Sequence, residues 1–130
     1  MPQKAQDVTD AELAVLQALW DSGQCTVREL VERLYKEWTA SSNATVQKLL
    51  ERLEAKDCVD RDRTVWPFQF RATIAREDLI VHELQSTADK LCEGEFQPLL
   101  TSLVKARGLS AQERRSLRKL LDEMEGKKGQ

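Results

Sequence analysis

Between Cys58 and Ala72 the hydrophobic period of this chain changes from that of a helix to that of a strand, and beyond Ala75 it changes back. Three helical stretches precede this switch and three follow it, so the chain must fold as helices around one small β-hairpin. Cys58 to Arg61 and Phe68 to Ala72 alternate with period two around a turn-like segment, Asp62 to Pro67. Phe68, Phe70 and Ala72 then share one face, with Gln69 and Arg71 on the other. Trp66, preceding Pro67, is expected to be extended.

Upstream, Thr9 and Glu12 have the spacing of a capping box, and Leu13, Leu16, Leu19 and Trp20 supply the apolar face of a helix from about Asp10 to Trp20. Gly23 ends it in the left-handed region. Thr26 and Glu29 form a second box, opening a helix with Val27, Leu30, Val31 and Leu34 inward that ends near Trp38. After the polar link Thr39 to Ser42, with Ser42 as N-cap, a third helix runs to Lys56 with Val46, Leu49, Leu50 and Leu53 on one stripe. Asp57 follows, a residue that tolerates the left-handed conformation better than most.

The opposite face of the third helix carries Ala44, Gln47, Lys48 and Glu51, flanked by Asn43, Thr45 and Arg52. Read alone, it is most simply a solvated face. Three helices with a tight link into the third, followed directly by a hairpin, make the winged-helix plan, and there the same face can enter a DNA major groove. Asn and Gln suit adenine, Lys and Arg suit guanine or phosphate. Arg61, Arg63, Thr64 and Trp66 fall at the wing, where they would meet phosphate or the minor groove. The candidate DNA contacts are Ser42, Asn43, Ala44, Thr45, Gln47, Lys48, Arg52, Arg61 and Arg63. Net charge is −2. From Ser41 to Arg71 six basic residues face five acidic ones, so attraction for phosphate must come from their placement.

From Ala75 onward, Leu79, Ile80, Leu84, Ala88 and Leu91 mark one helix; Phe96, Leu99, Leu100, Leu103 and Val104 a second; Leu117, Leu120, Leu121 and Met124 a third, with Ser110 and Glu113 as its capping box. Gly94, Pro98 and Gly108 punctuate them. About 55 residues is marginal for an independent core, so these helices are expected to pair with a second copy rather than fold back in a monomer. Leu84, Leu91, Phe96, Leu99, Leu100, Leu103, Leu117, Leu120 and Leu121 are the candidate dimerisation residues. The expected organisation is thus mainly α with a small β wing: a winged helix-turn-helix domain over 1–74 and a helical dimerisation domain over 75–130, with Gly126 to Gln130 frayed.

Other classes find little support. Three widely spaced cysteines, Cys25, Cys58 and Cys92, and a single histidine argue against a disulfide framework and a metal site, and the thiols are expected to be buried. His82 belongs at the surface or an interface. No glycine elbow, phosphate loop or H-E-x-x-H supports an enzyme or a cofactor. No apolar run approaches the roughly 20 residues that span a bilayer, and the first residues lack a signal-peptide core, which points to the cytoplasm without membrane insertion. A winged helix that has lost DNA binding and serves protein contacts is the alternative.

The stretches LWDSGQCTVRELVERL, NATVQKLLERLEAKDCV, PFQFRATIAREDL and FQPLLTSLVKARGLSAQERRSLRKLLDEM, in this order and spacing, resemble the penicillinase and methicillin-resistance repressors and their copper-responsive relatives. The resemblance covers Thr9 to Met124. It implies a homodimeric repressor of transcription on a palindromic double-stranded operator, with Asn43 to Leu53 as reading helix, Asp60 to Phe70 as wing, and a membrane sensor or protease as a further partner. Ala44 and Gln47 are neutral and Glu51 acidic where members commonly carry Lys or Arg, which implies weaker, more water-mediated or more sequence-selective binding. Ala72 stands where members often have proline. Members released by proteolysis are cut at an Asn-Phe bond matched here by Ser102 and Leu103. The cysteine-rich C-terminal copper site is not matched, since no cysteine follows Cys92.

Overall fold

Two reciprocal caps start the first two helices. Thr9 Oγ1 accepts from the Glu12 amide while Glu12 Oε1 accepts from the Thr9 amide, and Thr26 and Glu29 repeat the arrangement. Helix α1 spans Asp10–Ser22 and α2 spans Val27–Tyr35 in this computed structural model, which describes residues 7–128. Gly23 closes α1 at φ 85°. Helix α2 stops before the Trp38 expected from the sequence, because Lys36 turns to φ 67° and frees the Glu37 carbonyl to accept from Ser42 Oγ.

Helix α3 spans Ala40–Ala55 and corrects the expected start. Its N-cap is Thr39; Ser42 is the third helical residue, buried, and answers Thr39 as a glutamate would in an ordinary capping box. At the other end Asp57, at φ 60°, donates to the Glu54 carbonyl and Cys58 to that of Leu53, the paired bonds of a Schellman stop. The chain leaves that stop already aimed into the hairpin.

Strands β1 (Val59–Asp62) and β2 (Gln69–Ala72) pair antiparallel with Val59 opposite Ala72 and Arg61 opposite Phe70. Cys25 adds a one-residue bridge to Phe70, so the link between α1 and α2 sits beside the wing. The core lies where these pieces meet: Val15, Leu16 and Leu19 of α1, Leu30 and Val31 of α2, Val46, Leu50 and Leu53 of α3, with Cys58, Phe70 and Ile74. Each fully buried leucine contributes about 1.5–3 kcal/mol. Trp20 Nε1 donates to the Ile74 carbonyl at 2.8 Å, tying α1 to the segment after the wing.

Helices α4 (Arg76–Leu91), α5 (Gln97–Arg107) and α6 (Ala111–Lys128) complete the chain. Ser110 and Glu113 cap α6, and the Arg107 guanidinium, followed by the Ser110 amide, donates to that glutamate and brings its carboxyl down to about 2. Gly126 to Lys128 continue the helix instead of fraying, while Gly129 and Gln130, like residues 1–6, lie outside the described residues. The chain divides into two compact units between Leu84 and Gln85, inside α4 and later than the expected 74/75 boundary. In the second unit, among the described residues, only Ala88 is buried. Leu91, Phe96, Leu100, Leu103, Leu120 and Leu121 are exposed, Leu99 and Leu117 half-buried; Leu84, exposed as well, belongs to the first unit.

Candidate nucleic-acid interface

The core stripe of α3 fixes which way its other face looks. With Val46, Leu49, Leu50 and Leu53 buried, Ala44, Thr45, Gln47, Lys48, Glu51 and Arg52 are exposed and Asn43 half-buried. Gln47 Nε2 donates to Asn43 Oδ1 at 3.2 Å, which sets the two amides one above the other on adjacent turns. Thr45 turns its hydroxyl back onto the Ser41 carbonyl. Ser42, expected among the contacts, is instead spent on the helix start, its hydroxyl donating to backbone and accepting from the Thr39 amide. Its burial removes it from this face.

The polar link from the wing to α3, among the described residues, is made by Arg61. Arg61 Nη2 and Nε reach the two oxygens of Glu54 at 2.7 and 3.2 Å, and the guanidinium lies over the Phe70 ring at 4.9 Å. The sequence offered Arg61 as a phosphate contact; its donors are directed at Glu54 and its stem is part-buried. At the wing turn, Asp62 Oδ1 accepts from the Thr64 hydroxyl and amide at 2.6 and 2.9 Å, and these bonds hold the Asp62 carboxyl below its ordinary value. Arg63 and Trp66 project from that turn, Trp66 82% exposed and edge-on to Phe68. Among the described residues Lys48, Arg52 and Arg63 form no ion pair, whereas Arg71 pairs with Asp60 at 3.4 Å.

Between α3 and the wing lies a cleft of about 510 Å³. Asn43, Gln47 and Glu51 form one side, Trp66 and Phe68 another, and Arg28 and Trp38 a third. Arg28 stacks over Trp38 at 5.1 Å and pairs with Glu32. Neither residue was singled out from the sequence: they come from α2 and the link after it, and no spacing rule connects them with residues of α3 and the wing.

A sequence model of the penicillinase repressor family matches residues 8–123. The chain belongs to that family. It is a family of transcriptional repressors, not of enzymes. MecI, the methicillin resistance regulatory protein of Staphylococcus aureus strain N315, is 25% identical over 124 residues, covering 94% of this chain and 98% of MecI. The penicillinase repressor of Bacillus licheniformis is 25% identical over 126 residues, covering 97% and 98%. Among solved structures, the DNA-binding domain of the repressor BlaI is similar at 26% identity with a TM-score of 0.48, over 60% of this chain and 93% of that domain. The six helices and two-stranded wing described above are the mainly α, winged-helix architecture expected from the sequence.

The remaining site residues are placed as follows. Ser102 and Leu103 are exposed in the middle of α5, where the backbone is helical. Cys25 and Cys58 are buried, and burial, the largest influence, pushes both thiols up; Cys92, expected to be buried too, is half-exposed at the end of α4. His82 is half-buried with Nε2 2.7 Å from Asp7 Oδ1. No helix among the described residues is long and apolar enough to cross a membrane.

Proposed function

We propose that this chain is a dimeric cytoplasmic repressor that occupies a palindromic double-stranded operator, reading it with α3 and anchoring on the adjoining backbone with the wing, until a signal releases it. The winged helix of 1–74 reads and the helices of 75–130 pair two copies. The observation that carries this reading is the outward face of α3, where, among the described residues, Lys48 and Arg52 form no ion pair, beside a wing on which Arg63 forms none either. A duplex meeting that face finds positive charge without first breaking a salt bridge. Pairing of two copies is supported by the exposed leucines of α5 and α6, which a second copy would cover. Two copies related by a two-fold axis would present two reading helices to two half-sites. Release by a protease acting at Ser102–Leu103 would require that turn of α5 to unwind; an intact chain mass after release in the cell would remove this route.

A second reading has a specific observation behind it. Arg61 is committed to Glu54 and Arg71 to Asp60, which leaves the face nearly neutral and suited to a protein partner. Fluorescence anisotropy with the DNA just upstream of the chain's own gene, against a scrambled duplex over a salt series, separates the two. Specific binding by two protomers, weakening steeply with salt, is expected of the repressor. Equal affinity for both duplexes at every salt concentration points to a distant operator or to the protein contact, and a genome-wide pull-down that enriches no DNA segment rejects the repressor in favour of the protein contact.

A further inference from the structure

Glu51 is out of place on a surface that only needs to attract phosphate. It is exposed on the outward face of α3, four residues after Gln47 and eight after Asn43, so the three side chains form one stripe along the rim of the same cleft. No ion pair among the described residues neutralises it, although Lys48 stands one turn before it. A carboxylate held toward a polyanion is repelled unless it accepts hydrogen bonds there. Two donors are presented by base edges in the major groove: the 4-amino group of cytosine and the 6-amino group of adenine. Adenine carries an acceptor, N7, beside its amino group, and a carboxylate that can only accept is repelled by it; cytosine has only a C–H in that place.

We infer that Glu51 is a specificity-determining residue, accepting a hydrogen bond from the 4-amino group of one cytosine in each half-site. The amide pair Asn43 and Gln47, which can both donate and accept, reads the neighbouring positions on the same stripe. This inference rests on the assignment of α3 as the DNA-reading helix. It also gives the departure from a basic reading face a purpose: base discrimination is obtained at some loss of general affinity.

The test is selection from a library of randomised duplexes by the full chain and by Glu51→Ala and Glu51→Gln, each checked for an unchanged melting temperature. The wild type should enrich one cytosine per half-site, by roughly fivefold or more over the other bases. Glu51→Ala should lose preference at that position alone and bind mixed DNA more tightly, since a negative charge is gone; Glu51→Gln should move the preference to adenine. In the selected duplex, replacing that cytosine by pyrimidin-2-one, which lacks the 4-amino group, should weaken the wild type and leave Glu51→Ala unaffected. If Glu51→Ala selects the same sequences as the wild type, Glu51 reads nothing and the inference is overturned while the repressor reading stands. If the wild type itself enriches no sequence at any salt concentration, the DNA-reading assignment falls, and this inference with it.

Discussion

Arg61 of β1 and Glu54 of α3 are joined by two hydrogen bonds, at 2.7 and 3.2 Å, the only direct polar link between the wing and α3 among the described residues. Both side chains are about three-quarters covered, and a planar guanidinium on a carboxylate fixes orientation as well as distance. The wing is therefore set relative to α3 before any partner arrives.

Arg61→Ala should cost about 1–2 kcal/mol of stability, since a paired, part-buried charge-assisted contact and its packing on Phe70 are lost together. For a domain of this size that lowers the melting temperature by several degrees. Operator affinity should fall more than the stability loss explains, and Arg61→Lys, which cannot form the fork, should recover only part of either. Thermal melts read beside anisotropy titrations check this; full affinity in a destabilised Arg61→Ala would show that wing placement is irrelevant to binding.

Lys48→Glu should weaken operator binding by about tenfold or more at 0.1 M salt, with the melting temperature unchanged because the side chain is exposed. The neutral variant Lys48→Ala should reduce the slope of log affinity against log salt by about 1 per protomer if Lys48 meets a phosphate. A slope identical to that of the wild type assigns Lys48 no phosphate contact.

The Glu12 carboxylate is 1% exposed and receives Lys56 Nζ at 2.6 Å and the Thr9 amide at 2.8 Å. Burial alone would raise its pKa; the hydrogen bond from Lys56, then those from Thr9 and the Lys56 charge, outweigh it and hold the group below 4.5. A lowered value in the folded state adds stability that is complete above the unfolded value and lost as pH falls through the folded one. Lys56→Met removes the largest influence opposing burial and leaves only the Thr9 hydrogen bonds, so the carboxyl moves up and its contribution to stability at neutral pH falls. The variant should then differ little from wild type near pH 3 and be about 1–3 kcal/mol less stable at pH 7. Urea melts across that range measure the difference; a gap independent of pH would remove Glu12 as its source.

Trp66 is so exposed that Trp66→Ala should change stability by no more than about 0.5 kcal/mol. Operator affinity should nevertheless drop several-fold, because a flat apolar ring at the wing tip can cover deoxyribose as the strand passes. Unchanged affinity would place the ring away from DNA.

Leu121 is 68% exposed on α6 and Leu100 is exposed on α5. Leu121→Asp and Leu100→Asp should each convert a dimer into a monomer in sedimentation equilibrium at micromolar concentration, since burying such a leucine is worth about 1.5–3 kcal/mol and an aspartate there would be buried unpaired. A wild type that sediments as a monomer at high concentration would reject the pairing altogether.

The elements of this chain could be read from its sequence because they rest on local physics. Capping boxes at Thr9, Thr26 and Ser110, the stripe from Val46 to Leu53 and the alternation around Phe70 each specify their own few residues, and the helices and the hairpin appear at those places. The third helix starts three residues before the place its sequence suggests, because serine stands in the N3 place where glutamate or glutamine usually signals the box. What needed the tertiary structure was the partnership of side chains far apart in the chain. Arg61 is a phosphate ligand by residue type and a structural clamp by position, because folding puts Glu54 opposite it. Trp38 and Arg28 belong to the cleft only because α2 and α3 cross beside the wing. Periodicity tells a residue which face of its own element it occupies; which other element meets that face, and with what charge, is decided only when the core closes.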